Sequence, residues 1–135
     1  MSDWNSNIID EFRDNEGKVG GMFEGAPLLL LHHVGARTET EGVTPLMYQS
    51  IDGGYAVFAS KAGADTNPDW LHNVKANPET KVEVGTEIVA MIARVADGDE
   101  HDRIWSKQKQ DWPQFAKYEN KTARHVIPVV ILETD

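Results

Sequence analysis

Two short stretches of this chain combine cations, hydroxyls and small residues in a way that suits oxyanions. Arg37 and Thr38 follow an apolar run, and Ser60, Lys61, Gly63 and Ala64 follow a hairpin. Guanidinium, ammonium, hydroxyl and accessible backbone amides are the groups that hold phosphate or carboxylate oxygens. Trp70, and Trp112, Phe115 and Tyr118 at three-residue spacing, add flat surfaces on which a planar ring can rest. By pattern alone the aromatic stripe is more simply core packing, and the two loops are equally well read as exposed turns.

Other chemistries find little footing. Ser60 stands in no Gly-x-Ser-x-Gly elbow, and the absence of cysteine excludes disulfides, thiolate metal ligands and a cysteine nucleophile. His32 and His33 close an apolar strand, where neighbouring side chains point to opposite faces, so the two cannot chelate one ion. One is expected buried and hydrogen-bonded, the other more exposed, with no carboxylate nearby to complete a metal site. The acidic run from Asp97 to Asp102 lacks the spacing of a calcium loop and reads as the cap and first turn of a helix. Gly17, Gly20, Gly21 and Gly25 match neither a dinucleotide fingerprint nor a phosphate loop.

The elements that must position these residues follow from periodicity. A short amphipathic helix is expected over Trp4–Phe12, then a Gly-rich connection, then a strand buried on both faces over Leu28–Val34. Thr44–Ser50 and Tyr55–Ser60 flank an Asp-Gly-Gly turn, the strongest hairpin signal in the chain. Asn67-Pro68 opens a helix with proline at its first position, burying Trp70, Leu71 and Val74 and stopping near Asn77-Pro78. Strands follow over Lys81–Val84 and Glu87–Val95, then a helix to about Gln110, interrupted at Trp112-Pro113, and a last strand over Val126–Leu132. Pro45 and Pro128 are expected at strand starts, edges or bulges. About six mostly antiparallel strands with flanking helices make an α+β chain, most economically a barrel closed by helices.

The 135 residues are expected to form one domain, with 1–26 as its helix and connection. A formal net charge of −9 gives no field to attract nucleic acid, so any anion must be held by local cations. No stretch reads as a signal peptide or transmembrane segment, and with no cysteine the expectation is cytoplasmic.

LLLLHHVGART, TPLMYQSIDGGYAVFASKAGADTNPDWLHNVKANP and RHVIPVV, in this order from about Pro27 to the end, resemble the deazaflavin-dependent nitroreductase family of actinobacteria. The resemblance implies a split β-barrel, FMN-binding-like in type, and a reductase that passes a hydride from reduced coenzyme F420 to an electron-poor acceptor. Quinones, conjugated enones or lactones of coumarin type, and nitroaromatics are the implied acceptors. It implies that Arg37 and Thr38 contact the coenzyme's phosphate and tail, that Ser60, Lys61, Gly63 and Ala64 form a second wall, and that Thr44, Pro45 and Trp70 border the deazaflavin. Trp112, Phe115 and Tyr118 would shape the acceptor pocket. Where the family commonly has Ser/Thr-Gly-x-x-Arg, this chain carries Glu39 and Gly42, and Glu41 adds a second anion. Trp112 and Phe115 cannot donate a phenolic proton, which leaves Tyr118 as the catalytic candidate. An FMN-dependent split-barrel oxidoreductase and a non-catalytic F420 carrier are the alternatives. A homodimer is compatible with the resemblance, as is a peripheral membrane position if the acceptor is a lipid quinone.

Overall fold

A computed structural model describes residues 3–17, 27–35, 41–51, 53–60, 63–123 and 126–134. The chain begins with helix α1 (Asp3–Asp14), followed by strands β1 (Leu28–Val34), β2 (Glu41–Ile51) and β3 (Gly54–Phe58). Helix α2 (Asp69–Ala76), strands β4 (Glu79–Val84) and β5 (Glu87–Val95), helices α3 (Gly98–Asp111) and α4 (Gln114–Lys121), and strand β6 (Val129–Glu133) complete it. The six strands close a barrel in the order β1-β2-β3-β6-β5-β4, every pairing antiparallel. This is the expected α+β barrel with flanking helices.

Alternation along β1 organises two cores. Leu29 and Leu31 join Val57, Val82, Ala93, Val130 and Leu132, whereas Leu28 and Leu30 join Met47, Ala56, Phe58, Val129 and Ile131. The second set also holds Phe12 of α1, Ile104 and Trp105 of α3, and Phe115 of α4. Three helices cannot fit inside six strands, so that set is the outer face and the first is the interior. Helix α2 adds Trp70, Leu71 and Val74 to the interior set while contacting β1 and β5, and so plugs the barrel. Leu71 is fully buried there, worth about 1.5–3 kcal/mol relative to exposure.

Several boundaries move from their sequence expectation. Strand β2 is longer than expected, because its first half pairs with β1 over Glu41–Met47 and its second with β3 over Tyr48–Ile51. Pro45 thus lies well inside a strand, yet on a stretch with one strand neighbour among the described residues, where its missing amide costs no ladder bond on the open side. Pro68 is the N-cap of α2 rather than its first residue, and as a proline it makes no side-chain cap hydrogen bond there. Pro128 falls just before β6, where its carbonyl accepts from the Ala59 amide at 3.0 Å.

Candidate functional site

The divergence of β3 from β2 creates the site. Beyond the Tyr48–Val57 pair the edge of β2 from Glu41 to Met47 has no second strand partner among the described residues, while the chain after Phe58 is drawn away by the Ala59–Pro128 hydrogen bond. The first half of β2 and the segment that starts at Ser60 are therefore not paired as strands among the described residues, and the space between them is called the slot. Thr44 faces inward with Leu31, and Pro45 faces outward with Val43 and Met47, because neighbouring strand residues alternate.

The far wall is built as one piece with α4. Gly63 adopts φ 83° and donates its amide to the Ser60 carbonyl at 2.9 Å. A Cβ at Gly63 would lie 3.1 Å from the Tyr118 Cα and carbonyl oxygen, so the loop passes directly against the helix. Two further bonds clamp it: Thr122 Oγ1 donates to the Ala64 carbonyl at 2.7 Å, and the Ala123 amide to Asp65 Oδ1 at 2.8 Å. On the β2 side, Gln114 of α4 reaches the Met47 sulfur at 3.9 Å.

The structure therefore brings Ser60, Gly63, Ala64 and Tyr118 into one assembly and sets Thr44 and Pro45 on the opposite, open edge. It does not do the same for every aromatic. Trp70 is 5% exposed and belongs to the barrel interior, so its ring presents almost no surface to a ligand. Phe115 is 4% exposed and packs on Phe58 at 5.5 Å and Trp105 at 6.0 Å between ring centres, so the middle of the stripe is core. Half-buried Trp112 and Tyr118 remain, Tyr118 resting edge-on against Phe115 at 5.3 Å. Arg37, Thr38, Glu39 and Lys61 lie outside the described residues.

The paired histidines divide as expected. His33, buried on the inner face, has Nε2 2.9 Å from Thr44 Oγ1 and Nδ1 2.9 Å from Asn73 Nδ2 of α2. Burial, and the neighbouring His32, hold its pKa below the usual imidazole value. His32, on the outer face, has Nε2 2.6 Å from Glu83, which also accepts a two-pronged bond from Arg13 of α1 at 2.7 and 3.2 Å. The Arg13 bond holds the Glu83 carboxyl below its ordinary range, against burial and with help from His32. Carboxylates thus do stand beside His32, Glu41 being 3.6 Å from Nδ1. Even so, no group of three or more His, Cys, Asp or Glu fit to hold a metal occurs among the described residues.

Sequence reasoning missed Asn73, Asp65, Thr122 and the Arg13–Glu83 pair. One signal was present: Asn73 and Asn77 fall on the same helical stripe as Trp70 and Val74, polar residues on an otherwise buried face. Asn77 accordingly donates to the Val34 carbonyl at 3.3 Å.

Comparison with known proteins gives this arrangement a context. Residues 4–134 match the family described as F420H2-dependent quinone reductase. A curated F420H2-dependent quinone reductase of Mycobacterium tuberculosis is 34% identical over 125 residues, spanning 90% of this chain and 83% of that protein. Among solved structures, an F420-H2 dependent reductase is 37% identical with a TM-score of 0.72, over 79% of this chain and 94% of its own. Another, described as a domain-swapped dimer, is 34% identical with a TM-score of 0.73, over 97% and 98% of the two chains.

Proposed function

Because this chain belongs to the F420H2-dependent quinone reductase family, we propose that its slot binds reduced coenzyme F420 and that the protein is an oxidoreductase passing a hydride from it to a quinone. The observation that carries the reading is the family match across residues 4–134, which spans both walls of the slot. When bound, the coenzyme supplies the hydride.

The described residues fit such a group. A backbone edge on β2 that is unpaired among the described residues gives close approach for a flat ring, and the loop that Gly63 seats against α4 gives it a fixed second wall. In this reading Arg37, Thr38 and Lys61 hold the phosphate and tail, Ser60 and Ala64 continue the wall, and Thr44 and Pro45 meet the ring from the β2 side. Trp112 and Tyr118 cover the acceptor, with the Tyr118 phenol as its proton donor. Trp70 and Phe115 act behind this surface by packing. Enones, coumarin-type lactones and nitroaromatics extend the proposed acceptor range, because each is an electron-poor conjugated system. FMN is set aside in favour of F420, the coenzyme named for the family and the close relatives. Likeness to the domain-swapped structure supports a homodimer. No described helix is long and apolar enough to cross a membrane.

The test is a side-by-side titration with F420 and FMN, followed by oxidation of reduced F420 with menadione, an enone and a nitroaromatic as acceptors. F420 binding with quinone turnover is expected. Failure to bind or oxidise it would refute the reading, and tight binding without turnover on any acceptor would make the protein a carrier.

A further inference from the structure

The bonds around His33 have a direction. Asn73 Nδ2 can only donate, so His33 Nδ1, 2.9 Å away, must accept, and the neutral ring carries its hydrogen on Nε2. That Nε2–H then donates to Thr44 Oγ1 at 2.9 Å. The Thr44 oxygen is thereby engaged as an acceptor, and its own hydrogen is left to be given away. No described residue takes it, and Thr44 stands on the stretch of β2 that has no second strand partner.

We propose that Asn73, His33 and Thr44 form a hydrogen-bond relay of fixed polarity that presents the Thr44 hydroxyl as a donor to a carbonyl oxygen bound in the slot. The relay rests on the reading of that slot as the coenzyme site. The carbonyl belongs to the deazaflavin ring or to the quinone, and in either case a fixed donor stabilises charge on its oxygen without reorganising. Thr44 touches the bound molecule, whereas His33 and Asn73 are positioning residues that act through it.

Three elements are committed to this arrangement. Helix α2 supplies Asn73, β1 supplies His33, and β2 supplies Thr44 together with Gly42, whose missing side chain makes room for the imidazole. A Cβ at Gly42 would lie 2.8 Å from His33 Cε1. Among the described residues, the charged and titratable groups facing His33 are His32 beside it, Asp69 of α2 and Glu41 of β2. Burial, with the neighbouring His32, outweighs the two carboxylates and lowers the pKa of the ring, which favours its neutral form and with it this polarity.

The experiment has a ligand-free arm and two ligand arms. Imidazole nitrogen NMR of the ligand-free protein is expected to show His33 as the neutral Nε2–H tautomer, and the opposite tautomer overturns the relay. Thr44→Val is expected to lose roughly three- to tenfold, the yield of one hydrogen bond, with Thr44→Ser restoring it. If the loss is in F420 affinity the ring carbonyl is the partner, and if it is in the KM or kcat for menadione the quinone is. Unchanged values in both arms overturn the proposal. Asn73→Asp places an acceptor where a donor stood. While the ring is protonated it still donates both ways, but once neutral it turns its hydrogen to the new carboxylate and takes the hydrogen of Thr44. Activity of this variant is therefore expected to match wild type near pH about 6 and to fall to the Thr44→Val level by about pH 9. A profile parallel to wild type overturns the relay. A wild-type protein that neither binds nor oxidises reduced F420 removes the functional reading instead, while the NMR arm still decides the polarity.

Discussion

At Gly42 a residue chosen by one contact reaches several elements. The position would place a Cβ 2.8 Å from His33 Cε1 and 3.3 Å from Nε2, and the ring cannot swing aside without losing Thr44 or Asn73. Gly42→Ala is therefore expected to destabilise the fold by about 1–3 kcal/mol, the range for overpacking a tight site, measured by urea unfolding. A variant as stable as wild type would show that the imidazole has room to move. Glu83 permits a second residue-level prediction, because it joins α1 to β1 through Arg13 and His32. Its folded pKa lies below the ordinary carboxylate value of 4.5, so the pairing stabilises the fold at every pH above that value and drains away as pH falls through the folded one. Glu83→Gln should cost about 1–3 kcal/mol at neutral pH, and its deficit relative to wild type should shrink below pH about 4. A deficit of constant size from neutral pH down to pH about 3 would mean that the carboxylate's charge contributes nothing.

Among the elements, α4 and the loop at Gly63 behave as one unit. Thr122 and Asp65 tie the end of the helix to the loop, and Gly63 packs beneath Tyr118. In the proposed reading, the Tyr118 donor on α4 and the coenzyme wall on the loop then keep a fixed separation, which orientation-dependent chemistry requires. Asp65→Ala removes the bond to the Ala123 amide and is expected to weaken F420 binding by about 0.5–1.5 kcal/mol and to speed amide exchange at Gly63 and Ala64. Protection unchanged at those amides would separate the loop from the helix. The helices and strands themselves were legible because alternation and helical stripes are local: Leu28–Val34 and Glu87–Val95 have the bounds that their patterns predict. The clamp was not legible, since Asp65 and Ala123 are 58 positions apart and neither carries a distinctive neighbourhood. Trp70 and Phe115 show the converse failure. Their spacing marked them correctly as a buried face, and it was their flat rings, together with the family likeness, that turned that face toward a ligand.

On the scale of the whole molecule, the slot arises from a mismatch: β2 runs for 11 residues and β3 for 5, so one edge outlasts its partner. No window of sequence encodes that, although Ser60, Gly63 and Ala64 drew notice by their chemistry. What composition does encode is the field in which a ligand approaches. The chain carries a formal charge of −9, yet the proposed coenzyme is itself polyanionic and its proposed cations are Arg37 and Lys61. Net repulsion acts at long range, over a screening length of about 30 Å in 0.01 M salt and about 8 Å in 0.15 M, whereas the two cations act at contact. Raising salt should therefore relieve the repulsion first, and the association rate of F420 measured by stopped-flow fluorescence is expected to rise several-fold between those conditions. The dissociation rate should rise as well, because the contact pairs are weakened, leaving affinity less changed than either rate. An association rate that falls with salt would show that the local cations focus the field strongly enough to overcome the molecule's net charge, and steering would then belong to the loops alone.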